Sequence, residues 1–239
     1  MGDLYAIGHQ LSVWFLPIIL AITLHEAAHA WAADKLGDDT SRRLGRVSIN
    51  PVRHVDPLGT LILPGLLLLF SPIVFGWAKP VPVNFARLGR PKRDMALVAA
   101  AGPLCNLLQA IFFAWAIVVV LPMLEGNVQA WVGYNFANAI LVNLILAIFN
   151  LFPLPPLDGG RIVTSLLPRH LAYRYAGLER YGLLILLLLL FAVPLVGRQV
   201  GLDFNPVFAF VFGLLQPAVW LVAALSPIDF DLLWRIVWF

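Results

Sequence analysis

Five stretches of this 239-residue chain are apolar over lengths that match or approach the thickness of a bilayer, and this limits the possible folds more than any other feature. They cover residues 11–33, 95–121, 131–152, 181–196 and 206–225. The fourth is short and needs its flanks to span. A sixth run, 58–77, is long enough, but Pro64-Gly65 and Ser71-Pro72 interrupt it. A proline inside a helix removes a hydrogen bond and kinks the chain. With 61% hydrophobic and 12% charged residues, and a mean hydropathy of +0.87, the sequence reads as an integral membrane protein.

Charge decides how the sixth run is read. Five basic residues precede it (Lys35, Arg42, Arg43, Arg46, Arg53) and five follow it (Lys79, Arg87, Arg90, Lys92, Arg93). If the run dips into the bilayer and returns, and the N-terminus is outside, these join Arg161, Arg169, Arg174, Arg180 and Arg235 on the cytoplasmic side. Of the 16 basic residues only Arg198 is then external. A full span would split them much less cleanly. The expected fold is therefore an all-α polytopic membrane protein with about five transmembrane helices and a re-entrant region. The N-terminus is expected outside and the C-terminus in the cytoplasm of a prokaryotic cell, in the cytoplasmic membrane. The net charge of +3 does not indicate nucleic acid, because the basic residues lie in short loops between apolar runs. The lone Cys105 excludes an intramolecular disulfide and a cysteine-based zinc knuckle. Residues 1–10 lack the basic residues of a cleavable signal peptide.

Inside the first apolar run lies His25-Glu26-Ala27-Ala28-His29. On an α-helix His25 and His29 are about 40° apart in azimuth and about 6 Å apart in rise. Both imidazoles then face the same way and can reach one Zn²⁺, with Glu26 a quarter turn round as a general base. Ionisable side chains within a membrane helix are expensive and default to a functional reading. The motif centre lies nine residues, about 14 Å, from the expected helix end at Leu36, which places a metal inside the membrane near its cytoplasmic face.

A catalytic zinc usually takes a third protein ligand and leaves a fourth position open. Asp34 lies about 180° round the helix from His25 and points away. His54 and Asp56 are possible ligands or outer-shell partners. Asp158 is the better candidate, because it ends a segment, 150–158, whose three prolines and following Gly159-Gly160 must break a helix at membrane depth. The alternative for Asp158 is a cap on the helix that follows. Residues 46–51 and 81–84 alternate in character and carry proline punctuation, which predicts short strands. They could form a β-hairpin whose edge pairs with a substrate chain.

The chain resembles the site-2 protease family of intramembrane zinc metallopeptidases. The resemblance rests on His25-Glu26-Ala27-Ala28-His29, the stretch from Gly76 to Asn84, Ala101-Gly102-Pro103-Leu104-Cys105-Asn106, and the stretch from Phe149 to Gly159. It implies His25, His29 and Asp158 as ligands of one Zn²⁺ per chain, Glu26 as catalytic acid/base, and Asn150 as a residue that holds the substrate strand. It implies the compact branch without PDZ or CBS domains. Residues 1–239 then form one integral membrane domain, with a catalytic core at about 11–167 and accessory helices at about 178–239. The expected substrates are transmembrane segments of other proteins, which must unwind locally to expose a peptide carbonyl. Gly102 and Pro103 would let helices approach closely or kink near the site. A transporter would also use broken helices and buried carboxylates, but no inverted repeat is visible. A non-catalytic metal-binding protein would have no need of Glu26. No oligomeric state follows from the sequence.

Overall fold

The computed structural model describes residues 2–62 and 78–238. Five of its helices are long and apolar enough to cross a membrane. They are α1 (Gly2–Lys35), α2 (Pro91–Val120), α3 (Gly126–Asn150), α6 (Glu179–Gln199) and α7 (Pro206–Ala224). Shorter helices α4 (Asp158–Leu166) and α5 (Arg169–Ala176) lie between the third and fourth spans, and α8 (Phe230–Trp238) ends the chain. The fourth span does draw on its flanks: a π-helical stretch, Leu188–Ala192, carries it into Val193–Gln199.

Packing follows residue size. Ala21, Ala30 and Ala33 on α1 and Ala99 on α2 are buried, and small residues let membrane helices approach closely. Large apolar side chains such as Leu11, Phe15, Phe112, Trp115, Phe212 and Trp220 face outward. Such an apolar exterior matches hydrocarbon rather than water. The larger core joins α2, α3, α6, α7 and α8 around Ile140, Leu144, Leu215 and Leu233. On α8, Phe230, Trp234 and Trp238 stack at 5.9 and 5.3 Å.

Asparagines meet the cost of two of the helix prolines. Pro17 in α1 has no N–H for the carbonyl of Val13, and Asn138 Nδ2 of α3 donates to that oxygen at 2.9 Å. Pro194 in the fourth span leaves the Leu190 carbonyl in the same position. Asn205 Nδ2 donates to it at 3.0 Å, while its Oδ1 accepts from the N–H groups of Val207 and Phe208 and caps α7. Orphaned backbone groups in hydrocarbon cost several kcal/mol, about as much as a missing hydrogen bond in a dry core. Both asparagines therefore act structurally.

The expected β-hairpin is not formed. Among the described residues there is no strand, and 46–51 and 81–84 are irregular apart from single turns. The prolines explain this. Pro80 and Pro82 bring no N–H, so one edge of this segment lacks two of the donors a ladder needs. Side chains take its carbonyls instead: Arg46 Nη2 donates to Lys79 O at 3.0 Å and Ser41 Oγ to Pro82 O at 2.6 Å. A backbone bond between residues flanking the two segments, Lys79 N–H to His54 O at 2.9 Å, ties them together. The end of 79–84 is held by Asp38 Oδ2, which accepts from Asn84 N–H at 2.6 Å. The re-entrant course expected for 58–77 falls mostly on residues 63–77, outside the described residues.

Candidate active site

His25 and His29 project from α1 toward α2 and toward the first turn of α4. Both imidazoles are buried, as is Asp158. The two Nε2 atoms are 3.1 Å apart. Asp158 Oδ2 lies 3.3 Å from that of His25 and 3.2 Å from that of His29. Among the described residues these three form the one group of His, Cys, Asp or Glu side chains spaced to hold a metal.

The opposite sides of the rings settle what those atoms carry. His25 Nδ1 is 2.5 Å from Asn106 Oδ1. The amide of Asn106 is itself oriented, because its Nδ2 donates to Asn143 Oδ1 at 2.7 Å and to Ala21 O at 3.3 Å. Asn143 is anchored in turn through Nδ2 to Ala139 O at 2.8 Å. His29 Nδ1 is 2.7 Å from Val98 O, which can only accept. Each Nδ1 is therefore the protonated nitrogen, and each Nε2 offers a lone pair. Two imidazole lone pairs and a carboxylate oxygen converge with no proton between them, and Asp158 Oδ2 has no hydrogen-bond donor. A cation fits that arrangement. Ligands about 2.0–2.1 Å from a tetrahedral zinc stand about 3.3–3.4 Å apart, close to the separations here. Hydrogen bonds that fix the far nitrogen of a ligating histidine are the usual support of such sites.

Asp158 reaches the cluster because the backbone between α3 and α4 turns back very tightly. The chain leaves α3 at Asn150, and α4 starts at Asp158 itself. Gly159 lies against the carbonyls of Leu151 and Phe152, and Gly160 against the backbone of Leu154 and Pro155, so that a Cβ at either would overlap main-chain atoms. Asp158 is not a side-chain cap of α4. Its place in the first turn of a helix favours a negative charge.

Gly102 explains how α2 comes so close. A methyl group there would lie 2.5 Å from His25 Cε1 and 2.6 Å from His29 Cε1. Gly102→Ala should therefore displace both rings and cut zinc affinity by roughly 10- to 100-fold or more, the range seen when supporting residues are lost. Metal titration of the purified variant, with helix content as a folding control, checks this.

Glu26 is half-buried and accepts from Val81 N–H through Oε2 at 3.1 Å. It lines a cavity of about 340 Å³ together with the cluster, Asn150, Arg161 and Glu179. Asn150 Nδ2 donates to Leu146 O of its own helix at 3.0 Å. Arg161 and Glu179 approach to 3.6 Å at the cavity wall. The other sequence candidates lie elsewhere. His54 is buried with Nε2 at 2.8 Å from Ser48 O, Asp56 Oδ1 accepts from Leu58 and Gly59 N–H, and Asp34 pairs with Arg42. Sequence reasoning assigned no role to Asn106, Asn143 or Arg46. For the first two the signal was present: uncharged polar side chains inside otherwise apolar spans.

Comparison with known proteins places the chain among peptidases. The family model described as Peptidase family M50 matches residues 120–193, a stretch that carries Asn150 and Asp158. YwhC of Bacillus subtilis (strain 168), named as a candidate zinc metalloprotease, is 39% identical over 184 residues, 75% of this chain and 80% of that protein. Rip2 of Mycolicibacterium smegmatis, named in the same way, is 27% identical over 182 residues, 72% of this chain and 64% of its own. The zinc metalloprotease MJ0392 of Methanocaldococcus jannaschii is 26% identical over 164 residues, 68% of this chain and 36% of its own. No solved structure matches. At this identity to YwhC over most of both chains, the protein belongs to peptidase family M50, the site-2 protease family.

Proposed function

We infer that this protein is an intramembrane zinc metalloprotease that hydrolyses peptide bonds within or near the transmembrane segments of membrane-protein substrates. The observation that carries the reading is the convergence of three lone-pair donors beside a cavity-lining glutamate, on helices long enough to span a bilayer. The names given to YwhC, Rip2 and MJ0392 point the same way. They do not favour a transporter or a structural metal protein. His25, His29 and Asp158 would hold one zinc per chain, which supplies a Lewis acid able to acidify water and polarise a peptide carbonyl. Glu26 takes the proton from the attacking water and returns it to the leaving amine. Asn150, on the cavity wall, offers an amide to substrate carbonyl and N–H groups freed when a helix unwinds. In this reading residues 1–239 are one membrane domain, with the catalytic core at about 11–167 and accessory helices at about 178–239. The test is cleavage of a reporter transmembrane segment by the purified protein. Cleavage should stop when zinc is chelated and return when zinc is restored, and turnover unaffected by complete zinc removal would overturn the reading.

Orientation is part of the same proposal. Ala27 lies eight residues before the end of α1 at Lys35, about 12 Å along the axis, so in a hydrocarbon core of about 30 Å the cluster sits below the membrane surface. The basic residues flanking 58–77 support a reading in which that surface is cytoplasmic, with the N-terminus outside and the C-terminus inside, in the cytoplasmic membrane of a prokaryotic cell. Single cysteines near Arg53 and Arg90 should both react with an impermeant thiol reagent from the cytoplasm, and one near Gly126 from outside. Labelling of the first two from opposite faces would make 58–77 a span.

A further inference from the structure

Arg46 is a buried arginine met by carbonyl oxygens rather than by a carboxylate. It is 8% exposed, and Nη2 donates to Lys79 O at 3.0 Å and Pro80 O at 3.3 Å. A buried guanidinium is costly, and its rigid fork is suited to gripping two acceptors at once. What it grips bears directly on Glu26. Between Pro80 and Pro82, neither of which has an N–H, the one backbone donor is that of Val81. It points at Glu26 Oε2. The other ties of this stretch are Lys79 N–H to His54 O, Ser41 to Pro82 O and Asp38 to Asn84 N–H, none of which takes the two carbonyls just before Val81.

We propose that Arg46 is a positioning residue for proteolysis: by clamping the carbonyls of Lys79 and Pro80 it sets the Val81 N–H against Glu26 Oε2 and so fixes the orientation of that carboxylate. The proposal rests on the reading of Glu26 as general base. One oxygen of Glu26 is held by the main chain, and the other is left for proton transfer. A carboxylate on a flexible two-methylene stem gains from such a tether, because a general base works only within about 2.6–3.2 Å of its proton. A displacement of about 1 Å can cost about 10²-fold in rate.

The test uses the full-length, zinc-loaded protein in detergent, with Arg46→Met, Arg46→Lys and Glu26→Ala. Hydrogen exchange of the Val81 amide is read in a peptide covering 78–84, whose two prolines leave few other amides. Arg46→Met should speed exchange at Val81 by roughly tenfold, the scale of one lost hydrogen bond to a charged acceptor. Glu26→Ala should speed it as well, and the double variant should exchange no faster than the faster single one. In turnover, Arg46→Met should lower kcat by roughly 10- to 100-fold with KM nearly unchanged and zinc content intact, and Arg46→Lys should recover part of the loss. Unchanged exchange at Val81 in Arg46→Met would overturn the proposal. So would additive effects in the double variant, or a loss of zinc and helix content together with activity, which would make Arg46 a structural residue only. The exchange measurements do not depend on what Glu26 does chemically. Failure of the general-base reading would show separately, as persistent cleavage by Glu26→Gln.

Discussion

Asp158→Ala should empty the metal site and abolish cleavage, and His25→Ala and His29→Ala should do the same. The three atoms that converge at 3.1–3.3 Å come from these side chains, and a site with one open position cannot lose one of three ligands and keep its geometry. The loss of zinc affinity should exceed the roughly 10- to 100-fold that outer-shell changes cost. Elemental analysis of the purified variants, paired with the reporter cleavage assay, measures both effects. His54→Ala and Asp56→Ala serve as controls and should retain zinc, because in the structure His54 faces Ser48 O and Asp56 accepts backbone N–H groups. Full zinc and activity in Asp158→Ala, with loss of both in either control, would show that the third ligand has been misassigned.

Glu26→Gln should separate metal binding from chemistry. The amide keeps the size of the side chain and can still accept the Val81 N–H, but it cannot take a proton. Zinc content should stay at the wild-type level while cleavage falls by about 10²- to 10⁴-fold, the usual contribution of a positioned general base. Single-turnover cleavage of the reporter measures the drop, and substrate should remain bound to the inactive variant, which makes it a reagent for capturing natural substrates. Cleavage at near wild-type rate would remove Glu26 from the mechanism.

Much of this was legible in the sequence because it depends on local periodicity and composition. The five spans follow from hydropathy over 16 to 27 residues, the shared face of His25 and His29 from the helical repeat, and the helix break before Asp158 from its prolines and glycines. The strands expected at 46–51 and 81–84 came from alternation of side-chain character, which says nothing about whether a partner edge has donors to offer. Pro80 and Pro82 were themselves in view, and they are the reason no ladder forms.

Tertiary structure decided what depends on residues far apart in the chain. Asp158, His54 and Asp56 were all chemically competent ligands, and it is the backbone turn packing Gly159 and Gly160 onto 151–155 that brings Asp158, and neither of the others, to His25 and His29. Asn106 lies 81 residues from His25. Its role in setting which ring nitrogen carries the proton exists only once α1, α2 and α3 are packed so that Asn143 fixes the Asn106 amide. Gly102 was visible as a small residue, but its need to be one comes from two imidazoles arriving from another helix. Arg46 could be counted among the basic residues that orient the chain. That its guanidinium instead turns inward onto the carbonyls of Lys79 and Pro80, 33 and 34 residues away, is decided by tertiary packing, which no local pattern in the sequence expresses.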